Sequence, residues 1–260
     1  TQSAGARAVI GIPWSGNLGL TFYQVWSGEQ FNVAANYDQA QVFGADVNIP
    51  FSRNLGIAGS WTQCNTLARN GVSVGDIDFD NQQWDARVMA ALGRLGMGAG
   101  YKSIGHNFAA AGAWDKIGRW TNPTNVKGPY ANFSYPVMSN VKLILNGEWL
   151  QVKDPTVNTG NSRLTKDDVI AKAEGGLRWG ISRINALDLG YEWIKYNPES
   201  AATEATETYL TIGLAHQFGN AGLKVGYQFI NYIGGNNPGF AYGSEVYRGG
   251  LGVVQFGVSF

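Results

Sequence analysis

The segment DIDFDN, residues 76–81, carries the residues with the most obvious chemical potential. Its three aspartates, Asp76, Asp78 and Asp80, stand at alternate positions, as carboxylates do at the start of an EF-hand calcium loop. That loop also needs a glycine at its sixth position and a glutamate at its twelfth, where this chain has Asn81 and Arg87. The EF-hand interpretation therefore fails. An acidic loop that collects a divalent ion remains a candidate, with a solvated loop as the alternative.

Catalytic chemistry has few candidate residues. The two histidines, His106 and His216, lie beside connections that we expect at opposite ends of the molecule, so they cannot share a Ser-His-Asp arrangement. A hydrolase that uses His106 with a loop serine and aspartate is the remaining enzymatic alternative. The glycines of GRLGMGAG, residues 93–100, do not have phosphate-loop spacing and fit a tight hairpin turn. We predict that the protein is not an enzyme and needs no cofactor.

Composition narrows the class of protein. The 19 basic and 19 acidic residues cancel, and no basic stripe of the kind that binds nucleic acid is present. Charged residues form 15% of the chain, against about 25% in typical soluble domains, and the 36 glycines are about twice the usual share. The single cysteine, Cys64, excludes an intramolecular disulfide, and no apolar run reaches the length of a transmembrane helix.

Period-2 alternation runs through almost the whole sequence. In VKLILNGEWL, residues 141–150, one set of side chains is apolar, whereas Lys142, Asn146 and Glu148 belong to the other set. Charge inside a membrane is costly unless it faces water, so strands with one apolar and one charged face suit a barrel with a wet interior. The charged positions predicted to line that interior are Asp46, Asp85, Arg87, Lys102, Lys142, Glu148, Lys172, Glu174, Arg178, Glu192 and Lys224.

The connections between the predicted strands alternate between short and long. The short ones are predicted at 13–17, 51–54, 93–96, 138–140, 182–185 and 219–222, and the long ones near 27–37, 65–80, 105–125, 151–165, 197–204 and 234–244. Bacterial outer-membrane barrels are built in this way, with short periplasmic turns and long extracellular loops.

Aromatic residues give an independent indication, because they concentrate at the two interfaces of a membrane. If the short turns face the periplasm, the long-loop ends of the strands carry Trp26, Trp61, Trp84, Trp149 and Trp193. The opposite rim carries Trp14, Phe51, Trp179 and Phe260. These positions predict two aromatic girdles. The alternative is a soluble β-sandwich that buries the aromatic residues or binds carbohydrate through its tryptophans.

The C-terminal segment VVQFGVSF, residues 253–260, alternates to its last residue. Its Phe256, Val258 and Phe260 resemble the C-terminal signature that the outer-membrane assembly machinery reads in bacterial β-barrel proteins. The segments AGLKVGYQFINY and YRGGLGVVQFGVSF also resemble the barrel ends of porins that carry an S-layer-homology domain. These resemblances imply a bacterial outer-membrane porin in a lipid bilayer. They also imply a homotrimer, a surface-layer or cell-wall partner, and a chain that could be the C-terminal part of a longer one.

The fold expected from these patterns is a single domain over residues 1–260, an all-β transmembrane antiparallel up-and-down barrel. Roughly thirteen strands can be counted, but single-chain barrels of this type have an even number. We therefore expect about 14 strands, with 12 as the alternative if residues 1–13 lie outside the wall.

The longest predicted loop, residues 105–125, contains the apolar stretch AAAGAW. We expect it to fold into the mouth of the barrel and to form a constriction with Asp115, Lys116 and Arg119. The alternative is that it packs on a neighbouring subunit or on surface-layer material. The predicted function is passive, weakly selective diffusion of small hydrophilic solutes and ions, and the alternative is a plugged structural barrel that anchors an envelope layer or partner.

Overall fold

The computed structural model describes residues 2–26, 37–68, 80–108, 124–156, 168–197, 205–234 and 246–258. All of their regular structure is β-strand. The strands are β1 (Gln2–Ile12), β2 (Gly16–Trp26), β3 (Tyr37–Pro50), β4 (Leu55–Ala68), β5 (Gln82–Leu92), β6 (Leu95–Ile104), β7 (Val126–Met138), β8 (Val141–Val152), β9 (Val169–Gly180), β10 (Asn185–Asn197), β11 (Ala205–Phe218), β12 (Ala221–Gly234) and β13 (Val246–Val258). Within the described ranges, no helix is long and apolar enough to cross a membrane.

The thirteen described strands form one sheet in which each strand pairs antiparallel with its neighbours in sequence. Short connections join the strands at 13–15, 51–54, 93–94, 139–140, 181–184 and 219–220, and longer segments separate the remaining pairs. Short and long connections therefore lie at opposite ends of the sheet, which we call the turn rim and the loop rim. The predicted up-and-down topology and alternation of loop lengths are confirmed, and one continuous sheet does not fit the sandwich alternative.

Local sequence explains the tightest turns. Gly93 and Gly219 each open a two-residue turn and have φ values of 61° and 59°. A positive φ at the first central position is what a type II′ hairpin turn requires, and glycine adopts it without steric cost. The turn at 139–140 has no such glycine and instead follows a register shift between Pro136 and Met138 in β7.

One face of the sheet is apolar and exposed. It presents a nearly continuous belt of large side chains across all thirteen strands, including Leu20, Phe43, Val88, Leu145 and Leu214. Soluble monomers rarely expose contiguous apolar patches beyond a few hundred Å². We call this the outer face, because a belt that follows the whole sheet suits lipid contact.

The other face carries the charged side chains, and contacts on it reach across an intervening strand. Arg7 of β1 contacts Asp46 of β3, and Lys224 of β12 contacts Asp188 of β10. Side chains two strands apart approach one another on the concave side of a curved sheet. This polar face, the inner face, is therefore the interior of the curved wall.

Strands β1 and β13 form the edges of the described sheet. Each has one strand neighbour among the described residues, and twelve antiparallel steps between them make them run in the same direction. Residues 2–12 pair along their whole length with β2, so they form part of the wall rather than lying outside it.

Candidate functional site

All eleven charged residues predicted to line the interior lie on the inner face. The strand register shows this directly. Asp46, Ser60, Asp85 and Lys102 lie opposite one another in a row across strands β3 to β6. Residues directly opposite in a ladder share a face, and side chains two positions apart along a strand do so as well. The same register places Arg87, Lys142, Glu148, Lys172, Glu174, Arg178, Glu192 and Lys224 on this face.

At mid-height, the inner face holds a group of charge pairs. Lys102 Nζ of β6 lies 2.8 Å from Glu148 Oε2 of β8. Lys172 Nζ of β9 lies 3.1 Å from Glu192 Oε1 of β10. In addition, the Tyr130 hydroxyl donates a hydrogen bond to the Asp85 carboxylate across β6. In these three contacts each charge therefore faces a partner of opposite sign or a hydroxyl.

Nearer the turn rim, a second group of pairs includes residues that the sequence prediction missed. Arg7 donates to both carboxylate oxygens of Asp46 at 2.8 and 3.0 Å. Arg178 Nε lies 2.7 Å from Asp188 Oδ1, and Lys224 Nζ lies 3.8 Å from Asp188 Oδ2. Asp188 lies four residues before Glu192 on the same strand, so the period-2 pattern contained the signal needed to find it.

Glycines make room for these long side chains. A Cβ atom at Gly19 would stand 2.5 Å from Arg7 Nη2 and 2.6 Å from Asp46 Oδ1. A Cβ atom at Gly100 would stand 2.6 Å from both the Tyr130 ring and the backbone oxygen of Ala86. Each of these glycines lies on the strand that a pair crosses, so the missing side chain leaves the path of the contact open.

Exposure falls from the turn rim towards the loop rim. The side chains of Arg178 and Lys224 are 61% and 52% exposed, whereas those of Lys102 and Glu192 at mid-height are 21% and 7% exposed. Towards the loop rim, strands β7 to β12 carry a buried apolar cluster on the inner face, which includes Val126, Leu150, Ile170, Ile194, Tyr209 and Tyr232. The interior is thus open at the turn rim and closely packed at the loop rim.

Asp80 organises a polar cluster at the loop rim. Its carboxylate accepts hydrogen bonds from the backbone N–H of His106 at 2.9 Å and from Lys153, and Oδ2 lies 2.5 Å from His106 Nδ1. Burial alone would raise the pKa of Asp80, but the hydrogen bonds from Lys153 and His106 outweigh it and lower that pKa below its ordinary value. The cluster ties the connections before β5, after β6 and after β8 together.

One of the three aspartates predicted as candidate metal ligands, Asp80, belongs to this cluster. Asp76 and Asp78 lie outside the described residues, whereas Asp80 is engaged by Lys153 and His106. Among the described residues, no group of three or more His, Cys, Asp or Glu side chains is placed to hold a metal ion.

The two histidines lie at opposite rims. His106 follows β6 at the loop rim, whereas His216 lies near the turn-rim end of β11 with its Nδ1 2.6 Å from Asn185 Oδ1. This separation is the one that the sequence predicted. His106 and Asp80 form a His-Asp pair, but the His106 side chain is only 7% exposed and is part of the cluster described above.

Five of the predicted interface aromatics lie on strands with their side chains on the outer face: Trp61, Trp84, Trp149, Trp179 and Trp193. Trp61 and Trp84 are opposite one another in register, and Trp84 stacks on Tyr101 with ring centroids 5.8 Å apart. Trp149 and Trp193 occupy similar heights on β8 and β10, whereas Trp179 lies at the turn-rim end of β9, and Trp14 and Phe51 lie in turns. Trp26 ends β2, and its side chain lies outside the described part of the chain.

The C-terminal strand and the predicted constriction are described only in part. Phe256 lies on the outer face of β13, is 63% exposed and has its ring centroid 6.5 Å from that of Phe218. The Val258 side chain and Phe260 lie outside the described residues, as do Asp115, Lys116 and Arg119. Their roles in assembly and constriction therefore stay predictions.

Comparison with known proteins finds similarity in structure but not in sequence. No family model matches the chain, and no curated protein matches its sequence significantly. The fold is similar to that of OmpT, an outer membrane protein of Vibrio cholerae, with a TM-score of 0.51 and 12% identity over 98% of this chain and 88% of that chain. It is also similar to that of the outer membrane channel DcaP of Acinetobacter baumannii, with a TM-score of 0.56 and 11% identity over 100% of this chain and 85% of that chain. An anion-selective porin from Comamonas acidovorans gives a TM-score of 0.49 and 11% identity, over 98% of this chain and 85% of that chain.

These likenesses define the fold. The chain has the architecture of bacterial outer-membrane β-barrel proteins, with sequential antiparallel strands, an apolar outer face and a charged inner face. The predicted outer-membrane β-barrel fold is therefore confirmed.

Proposed function

We propose that the protein is an outer-membrane porin that lets small hydrophilic solutes and ions diffuse passively. The observation that carries this proposal is the division of the sheet into an exposed apolar outer face and a charged inner face. Charged side chains are tolerated at membrane depth when they face water or one another inside a protein. Diffusion through a water-filled lumen requires no chemical step, so this function needs no catalytic residue.

The charges of the inner face support weak overall selectivity. Seven basic and seven acidic side chains are described on the inner face: Arg7, Arg87, Lys102, Lys142, Lys172, Arg178 and Lys224 against Asp46, Asp85, Glu148, Glu174, Asp188, Glu192 and Glu207. Because the two signs balance, the average potential along the lumen is close to neutral. Selectivity then depends on where along the path each sign lies.

The constriction is proposed to lie at the loop rim. The close packing of the inner face there supports this position, and the proposed constriction residues are Asp115, Lys116 and Arg119 of the 105–125 loop. Deletion of residues 108–118 is expected to raise single-channel conductance, whereas the shorter deletion of residues 237–243, from the connection before β13, controls for the shortening of a different connection. Equal conductance in the wild type and the 108–118 deletion would remove this loop from the conduction path.

A plugged structural barrel is the second candidate, and one observation favours it. On the inner face near the loop rim, Val126, Leu150, Tyr209 and Tyr232 are each at most 2% exposed. A lumen packed in this way around its whole circumference would not conduct, and the barrel would then serve as an anchor. The predicted homotrimer, the assembly machinery and a surface-layer or cell-wall component stay predictions in either case.

The deciding experiment is single-channel conductance of the detergent-purified protein in a planar lipid bilayer, measured in several salts. Stable ohmic steps would support the porin. No conductance from protein shown to be folded, for instance by heat-dependent gel mobility, would refute the porin and favour the plugged barrel.

A further inference from the structure

The inner face has a cleft at the turn-rim ends of β9 to β13. The residues nearest the rim on these five adjacent strands include small inward-facing ones, Gly180, Ala186, Ala215, Gly222 and Gly257. Their lack of long side chains leaves a cleft of about 420 Å³ that they line. Clefts of this size hold small-molecule ligands in other proteins, where a few polar groups fix the ligand's orientation.

Apart from the small and apolar residues, the side chains that line the cleft are polar, and none of them is acidic. Lys224 of β12 and Arg183 of the 181–184 turn both line it, and Gln255 of β13 lies directly opposite Lys224 in the register. Ser182 and Gln217 also line the cleft and add hydrogen-bonding groups. None of the described residues that line the cleft is an aspartate or a glutamate.

Among the described side chains, the Asp188 carboxylate at this height is already shared between two cations. Asp188 accepts from Arg178 Nε at 2.7 Å and from Arg178 Nη2 at 3.4 Å, whereas Lys224 lies at the longer distance of 3.8 Å. Lys142 lies opposite Arg178 in the register and adds a further positive charge. Among the described residues at this height, the four cations Lys142, Arg178, Arg183 and Lys224 therefore outnumber the one carboxylate, so their summed formal charge is positive although the chain as a whole is neutral.

We propose that this cleft is a binding site for small oxyanions, that is, for solutes that carry a phosphate or a carboxylate group. Arg183 supplies planar guanidinium donors at the lip and Lys224 supplies an ammonium group within the cleft, which are the groups that recognise such anions. The amides of Gln217 and Gln255 provide additional donors. Because Lys224, Gln217 and Gln255 lie on the inner face, these groups meet dissolved anions rather than lipid.

The binding site does not require that the lumen conducts, so it can be tested separately from the porin function. Isothermal titration calorimetry of the detergent-folded full chain with inorganic phosphate at low ionic strength should show saturable binding. Binding should weaken in high sodium chloride, because screening reduces attraction between exposed charges. Lys224→Gln and Arg183→Gln should each lower the affinity roughly fivefold, about the effect of one unit charge at contact distance in water.

Two further variants make the test specific. Asp188→Asn removes the competing carboxylate and should strengthen phosphate binding by a similar factor. Arg248→Gln removes one positive charge from the outer face of β13 near the loop rim, where Arg248 donates to Asn231, and should leave phosphate binding unchanged. Equal affinities in the wild type, Lys224→Gln and Arg183→Gln, or equal losses in Arg248→Gln, would overturn the site.

Conductance then separates this proposal from the porin function. In a conducting protein, phosphate added on the turn-rim side should reduce the chloride current, and Lys224→Gln should relieve the effect. A silent bilayer with normal phosphate binding would refute the porin and retain the site. Ohmic conductance without phosphate binding would refute the site and retain the porin.

Discussion

The Lys102–Glu148 pair should set the ion preference at mid-height of the lumen. Its atoms are 2.8 Å apart, the side chains are 21% and 24% exposed, and the pair joins β6 to β8 across β7. Lys102→Met removes the ammonium group and leaves the Glu148 carboxylate with less compensation, so the permeability ratio of potassium to chloride should rise. Glu148→Gln leaves the ammonium group in excess, so the same ratio should fall. The double variant should return to the wild-type ratio.

The size of the shift follows from the distance at which a permeating ion passes the uncompensated charge. At about 4 Å in a water-like dielectric, one unit charge contributes about 1 kcal/mol, which changes the local ion ratio roughly fivefold. Salt at about 0.1 M screens interactions over about 10 Å, so a change of about two- to fivefold is expected. Removal of one partner should also lower the free energy of unfolding by about 1–2 kcal/mol, between the values for exposed and buried pairs.

The assay is the reversal potential across a planar bilayer under a potassium chloride gradient, with Arg248→Met on the outer face as the charge-matched control. The single variants should shift the reversal potential in opposite directions, and the control should not. Shifts in the same direction, or a double variant that retains the shift of either single variant, would refute the placement of this pair beside the ion path.

Three further predictions test the faces of the sheet and the loop rim. Val88→Arg, on the outer face of β5, should cost about 2–4 kcal/mol of unfolding free energy in lipid vesicles, whereas Leu92→Arg at the turn rim should cost at most about 1 kcal/mol. Equal costs would argue against lipid contact. Gly19→Val should displace the exposed Arg7–Asp46 pair and lower the urea midpoint only slightly, because exposed ion pairs contribute little, and it should not add to the effect of Arg7→Met. The pKa of Asp80 is lower in the folded protein than in the unfolded chain, so the ionised carboxylate stabilises the fold at pH values above the ordinary carboxyl pKa of about 4. This stabilisation should be lost as the pH falls from about 4 through the lowered pKa. Asp80→Asn should lack this acid dependence in urea titrations at successive pH values, and an unchanged dependence would show that another group is responsible.

The assignment of residues to the two faces could be predicted from sequence because the side-chain period of a strand is two. Once Lys142 and Glu148 are assigned to one face, Asn146 and Leu150 must share it, whatever the sheet does elsewhere. The pairing of the strands that a short turn joins could be predicted in the same way, because a short turn places the two strands side by side. This reasoning places charges at heights along each strand, but it gives no information on which charges meet.

Which charges pair with one another depends on the strand register and on the curvature of the sheet. Neither can be predicted from the alternation of apolar and polar residues. Arg7 and Asp46 are 39 positions apart and meet because β2 presents Gly19 where their side chains cross. The prediction omitted Asp188, although the alternation along its strand places it on the inner face. It also omitted Tyr130, because that residue contacts Asp85 through a hydroxyl group and carries no charge. Crossings of this kind explain part of the high glycine content of the chain. At Gly19 the absence of a side chain leaves the crossing open, and an added Cβ atom there would meet the side chains of Arg7 and Asp46, so substitution should disturb the pair directly.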